Sequence, residues 1–158
     1  MVAIDTDLTL GVERPTEQQD GRDGIASRLV QLGSDASKRF AARVFELALS
    51  PADASVVRLV AYAPGLSQRE VADRLGLQPS RLVSLVDALE VRALIERTRS
   101  VSDRRLYELR LTPDGRALYA RLAVVIDAHE RDIASALSPY ERRQLMALLD
   151  RLLTAVDT

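Results

Sequence analysis

Between Leu66 and Thr112 the chain reads LSQREVADRLGLQPSRLVSLVDALEVRALIERTRSVSDRRLYELRLT, and this stretch limits the possible folds more than any other part of the sequence. It carries two helix-start signals so close together that only a short turn fits between the helices. Ser67 with Glu70 three residues on has the reciprocal side-chain-to-backbone pattern of a capping box. Val71, Ala72 and Leu75 then form one apolar stripe, and Gly76 supplies the left-handed residue that ends the helix. Pro79 suits the first turn of a second helix, where its missing N–H would have had no partner. The link Gly76-Leu77-Gln78 has helix-turn-helix length.

Leu82, Leu85, Val86 and Leu89 recur at three- and four-residue spacing, so one face of the second helix is committed to a core. The other face shows Gln78, Ser80, Arg81, Ser84 and Asp87. The polar residues near the helix start sit at the end that a recognition helix presents to base edges in the major groove. Ser67 and Gln68, at the start of the first helix, join Gln78, Ser80, Arg81 and Ser84 as candidate DNA contacts. A solvated amphipathic helix has the same pattern, and the segment from Ile95 to Leu111 separates the two readings.

Ile95-Glu96-Arg97-Thr98-Arg99 and Leu106-Tyr107-Glu108-Leu109-Arg110-Leu111 alternate like strands, with Leu109 and Leu111 on one side and Ser100–Arg105 as the loop. Arg97, Arg99, Arg104 and Arg105 thereby gather on one hairpin, opposed by Glu96 and Asp103. Arginine forks suit phosphate oxygens and a narrow minor groove. Asp103, unfavourable beside phosphates by itself, is read as holding Arg105 extended; as a plain turn residue it would be equally at home. The expected fold class is mainly α with a small β-hairpin wing: a winged helix-turn-helix with a helical dimerisation layer.

Residues 1–23, polar and with several Gly and Pro, read as a flexible N-terminal arm, and 24–158 as a single domain. In that domain the winged module covers about 52–111. A helix runs from Ile25 through Leu29, Leu32, Ala36, Phe40, Val44 and Leu47; another starts at Ser50-Pro51 and closes at Pro64-Gly65. Thr112-Pro113-Asp114 opens a long helix through Leu118, Leu122, Val125, Ile126, His129 and Ile133. Ser138-Pro139-Tyr140-Glu141 caps a last one through Leu145, Leu148, Leu149, Leu152, Leu153 and Val156. So broad a leucine stripe needs a covering surface, and helices 24–50 and 112–157 are read as a homodimerisation layer rather than the rest of an intramolecular core. A two-fold dimer would set two recognition helices about 34 Å apart on a palindromic operator.

The 158 residues, 47% hydrophobic and 28% charged, suit a globular domain with its own core. No stretch is long and apolar enough to span a bilayer, and the first ten residues lack the basic start of a secretory signal, so a cytoplasmic protein with no membrane partner is expected. With no cysteine, disulfides, thiolate metal sites and thiol redox sensing are excluded. The net charge is only −1, yet Arg92 to Arg110 carries six arginines against Glu96, Asp103 and Glu108. Affinity for nucleic acid depends on the field at the contact face, not on the sum. There is no Gly-rich phosphate loop, no nucleophile elbow and one histidine, His129, without a ligand pair on its face. No catalytic residue, metal site or cofactor is expected.

From about Leu29 to the C-terminus the sequence resembles the MarR family of bacterial transcriptional regulators. The likeness is carried by LSQREVADRLGLQPS, by LVDALE followed by Leu94-Ile95-Glu96-Arg97, and by Ser102-Asp103-Arg104-Arg105 leading into LRLTPDGRAL. The resemblance implies a DNA-binding repressor, with Asp103 and Arg105 matching the family's Asp-x-Arg wing motif. It departs where Ser84 stands for a frequent basic residue, Arg81 for a frequent threonine, and Ala93 for a frequent glycine. It also implies a small aromatic or anionic effector held between the dimerisation helices and the winged module, for which Arg39, Arg43, Arg58 and Tyr119 are the polar candidates. The low aromatic content, with no Trp, argues against a stacking-rich pocket. The competing reading is a winged-helix scaffold that binds a protein partner rather than DNA.

Overall fold

The computed structural model describes residues 24–99 and 107–156. The chain divides into two compact units after Ser34. The described residues form, in order, α1 (Ile25–Phe45), α2 (Pro51–Tyr62), α3 (Gln68–Leu75), α4 (Pro79–Val91), β1 (Ile95–Arg99), β2 (Tyr107–Leu111), α5 (Pro113–Ile133) and α6 (Pro139–Val156).

Local chemistry sets these boundaries. Ser50 caps α2 and Ser67 caps α3, each in a reciprocal capping box with Asp53 and Glu70 respectively. Hydrogen bonds from the Ser67 hydroxyl and backbone N–H hold the Glu70 carboxyl below the usual carboxylate range, and Ser138 does the same for Glu141 at the start of α6. Gly76 ends α3 in the left-handed region at φ 62°. Pro79 stands in the first turn of α4.

The core collects where these elements cross. Val44 and Leu49, then Ala54, Val56, Val57 and Val60 of α2, meet Val71 and Ala72 of α3, and Leu82, Val86 and Leu89 of α4. Leu94, Ile95, Leu109 and Leu111 of the hairpin and the turn before it, with Leu118 and Leu122 of α5, complete it. The stripe read for α1 is only partly buried: Val44 is enclosed and Phe40 and Leu47 pack on the core, whereas Leu29 is 41% and Leu32 66% exposed.

β1 and β2 pair antiparallel, with Ile95 opposite Leu111 and Arg99 opposite Tyr107. Their inner edge is fastened to the loop before α3: the Leu109 N–H donates to the Leu66 carbonyl (2.9 Å), the Gly65 N–H to the Leu109 carbonyl (3.1 Å), and Ser67 bridges to Glu108. The hairpin is therefore tied to the start of α3.

The turn between α4 and β1 places Ala93 at φ 53°. This is the left-handed conformation that a glycine adopts without strain, and alanine holds it at a cost of about 1–2 kcal/mol. Ala93→Gly removes that strain and gives back part of it as unfolded-chain entropy. We expect a net gain of about 0.5–1 kcal/mol in urea unfolding; an unchanged or lower midpoint would show that the turn is relaxed.

Candidate nucleic-acid interface

α3 and α4 meet across the tight Gly76–Gln78 turn, and the exposed side of α4 is small and polar at its centre. Ser80, Ser84 and Asp87 fall on one face at helical spacing, with Arg81 on one flank and Val83 on the other; all five lie outside the buried core. The Ser84 hydroxyl donates to the Ser80 carbonyl (3.2 Å) and so offers outward mainly its lone pairs. Gln78 takes the N-cap position of α4, but its side chain does not cap the first N–H groups of the helix.

The residues at the start of α3 play two different parts. Ser67 is engaged in its capping box: its hydroxyl donates to Glu70 Oε2 (2.7 Å) and accepts from the Glu70 N–H (3.3 Å). Gln68 instead lines a shallow groove between α3 and α4, with Arg69, Asp73, Pro79 and Val83 around it. Its buried Nε2 has no hydrogen-bond acceptor among the described residues.

The hairpin arginines also separate. Arg97 is turned onto α4, where its guanidinium is ion-paired with both Asp87 and Glu90. Arg99 lies over the Tyr107 ring, 5.9 Å from its centroid, near the outer end of the described hairpin. Arg110 pairs with Glu108 at 2.8 Å. Asp103, Arg104 and Arg105 lie outside the described residues.

The four effector candidates do not converge. Arg58 borders a cavity of about 240 Å³ between α1, α2 and α5, together with Ser37, Phe40, Ile126, His129 and Glu130. Arg43 is ion-paired with Asp132 of α5, and Arg39 is exposed. Tyr119 lines a different cavity, of about 370 Å³, with Glu96, Arg110 and Arg116. His129, which the sequence places in the stripe of the long helix and reads as no metal ligand, walls the first cavity with its ring 5.4 Å from that of Phe40. Its buried Nδ1 has no hydrogen-bond partner among the described residues. The sequence does carry the signal: His129 continues the Leu118, Leu122, Ile126 stripe of α5. Among the described residues no cluster of His, Asp and Glu could hold a metal ion, and no helix is long and apolar enough to cross a membrane.

A helix-turn-helix whose second helix is backed by a core and flanked by an anchored hairpin defines a winged helix-turn-helix protein. Comparison with known proteins narrows the class. The model of the MarR family matches residues 49–106. A putative transcriptional regulatory protein for the hcr operon of Thauera aromatica is 36% identical over 104 residues, which are 66% of this chain and 63% of that protein's length. The structure of the transcriptional repressor CouR bound to a 23-mer DNA duplex superposes with a TM-score of 0.76 at 33% identity, over 87% of this chain and 99% of that one. CouR from Rhodococcus jostii bound to p-coumaroyl-CoA gives a TM-score of 0.74 at 30% identity, over 82% and 92% of the two chains. The chain belongs to the MarR family.

Proposed function

We propose that the protein is a sequence-specific double-stranded DNA-binding repressor that acts as a homodimer on a palindromic operator in the cytoplasm and is released by a small-molecule effector. The observation that carries this reading is the exposed, small and polar start of α4, with Arg81 on one flank and Val83 on the other, held on a core beside an anchored hairpin. Similarity to CouR, whose structure is of a repressor on duplex DNA, supports it. In this reading Ser80, Arg81 and Ser84 enter the major groove, while Gln68 and Gln78 approach the phosphates from the helix starts. Ser67 acts through its cap. Arg99, Arg104 and Arg105 reach the flanking backbone or minor groove, with Asp103 orienting Arg105. No catalytic step is assigned to any residue.

The wing is tested by Arg104→Ala and Arg105→Ala. Each should weaken operator binding without lowering thermal stability, and should reduce the slope of log affinity against log salt by about one for each lost phosphate contact. Unaltered affinity and slope in both variants would remove the wing from the interface and favour the protein-binding scaffold.

Dimerisation is read from α6. None of its described residues is buried in the single chain, and Leu145, Met146, Leu148, Leu152 and Leu153 are all 44% exposed or more. Helices at 24–50 and 112–157 form the association layer in this account, next to a winged module at about 52–111. Leu148→Glu with Leu152→Glu should convert a dimer into a monomer in sedimentation equilibrium at micromolar concentration and cut operator affinity by at least about a hundredfold, because half of the contacts are lost. A wild-type monomer at that concentration would contradict the dimer.

For the effector, the cavity beside Arg58 and His129 is the better of the two candidates. It offers an aromatic wall in Phe40, an exposed cation in Arg58 and, in His129, an imidazole nitrogen with no partner among the described residues. Those groups suit an aromatic compound with an anionic or carbonyl end, in keeping with the p-coumaroyl-CoA bound by CouR.

A further inference from the structure

Two valines of α4 are exposed, Val83 and Val91; Val91 is the last residue of the helix, whereas Val83 lies beside Ser80 and Ser84 in its first half, where neither the core nor the helix chemistry explains it. The buried face of α4 is made by Leu82, Val86 and Leu89, and Val83 stands outside it at 42% exposure. A β-branched residue at an exposed helical position loses side-chain rotamer freedom without compensating burial, so the helix itself gains nothing from it. Its place is specific: it flanks Ser80 and Ser84 on the side toward α3 and borders the groove that also holds Gln68 and Pro79.

On the reading face of a major-groove helix, an exposed isopropyl group has one complementary feature on a base pair. Thymine alone among the four DNA bases carries a methyl group there, whereas the remaining major-groove features are hydrogen-bond donors and acceptors that a valine leaves unpaired. The neighbouring serines are short enough to let a base edge approach Val83. Resting on the DNA-binding reading, we propose that Val83 is a specificity-determining residue that reads the 5-methyl group of a thymine in each operator half-site. Burying that methyl against Val83 is worth about a fourfold change in affinity per half-site contact.

The test separates the methyl from every hydrogen bond of the base pair. The operator is first obtained by selection from a random duplex pool with the wild-type full-length protein. Each thymine in one half-site is then replaced singly by deoxyuridine, and binding is followed by fluorescence anisotropy for wild type, Val83→Ala and Val83→Thr. Val83 is exposed and alanine favours the helix, so neither variant should unfold; thermal melting checks this. The expected result is one thymine per half-site whose replacement costs wild type about fourfold and costs Val83→Ala less than about 1.5-fold. Val83→Thr, which keeps one methyl, should fall between. Deoxyuridine penalties of equal size in wild type and Val83→Ala, or no penalty at any position, would overturn the assignment while leaving the repressor reading intact. Failure to enrich any duplex would overturn that reading and the assignment with it.

Discussion

Gly115→Ala should be among the most destabilising single-methyl additions available in this chain. Gly115 lies in the first turn of α5 and is buried, and a Cβ built on it would come within 1.9 Å of the Leu94 carbonyl oxygen and 2.9 Å of its carbon. Both are backbone atoms, so no side-chain rotation relieves the contact. The approach is close because Thr112 binds the two segments together: its N–H donates to the Leu94 carbonyl at 3.2 Å, its hydroxyl donates to the Ala93 carbonyl and accepts from the Gly115 N–H at 3.0 Å. Forcing α5 away from the α4–β1 turn breaks that set and opens the core near Leu111 and Leu118. Overpacking typically costs about 1–3 kcal/mol, and a backbone clash without an exit lies at or above the top of that range. Urea unfolding should show a loss of about 3 kcal/mol or more, or no folded protein. A loss below about 1 kcal/mol would mean that α5 is not held against this turn.

Arg97→Ala is the second large effect, expected on binding rather than folding. The Arg97 guanidinium bridges Asp87 and Glu90, one from the exposed face of α4 and one near its end, and so ties the hairpin to the reading helix. Without it, two carboxylates remain unpaired on a helix that must approach phosphates, and the helix loses its brace. We expect operator affinity to fall by about a hundredfold, roughly 2.7 kcal/mol. Because Arg97 is occupied by carboxylates, the salt dependence should keep its slope, unlike the wing variants. Arg97→Lys should recover only part, since an ammonium lacks the planar fork that serves two acceptors. Adding Asp87→Asn and Glu90→Gln to Arg97→Ala should restore some affinity by removing the exposed negative charge. A slope reduced by about one in Arg97→Ala would identify a phosphate contact instead.

The fold is legible wherever a backbone requirement is written into one residue type. Ser50, Ser67, Thr112 and Ser138 announce helix starts because a side-chain oxygen must meet orphan N–H groups, and Gly76 announces a stop because its φ is positive. The hairpin is legible from alternation, which also puts Leu109 and Leu111 on the core side. Partnership between distant side chains is not. Arg97 looks like one more wing arginine in the sequence, and only the fold shows that Asp87 and Glu90 lie within its reach. Likewise Arg43 and Tyr119 resemble Arg58 as pocket candidates, although Arg43 is paired with Asp132 and Tyr119 faces another cavity. Helical periodicity tells which face a residue is on, not which neighbour that face meets. Val83 is hidden for another reason: it belongs neither to the Leu82, Leu85, Val86, Leu89 stripe nor to the polar face, and only its exposure marks it out.

The central claim, a dimer reading a two-fold operator, is tested most directly by selecting bound sequences from a random duplex pool at physiological salt. The winner is then titrated against scrambled duplex by anisotropy. The account predicts an inverted repeat with half-site centres about one helical turn, roughly 10–10.5 bp, apart, bound at least about a thousandfold more tightly than scrambled DNA. A pool that yields no motif, with only weak binding that vanishes as salt rises, would contradict it.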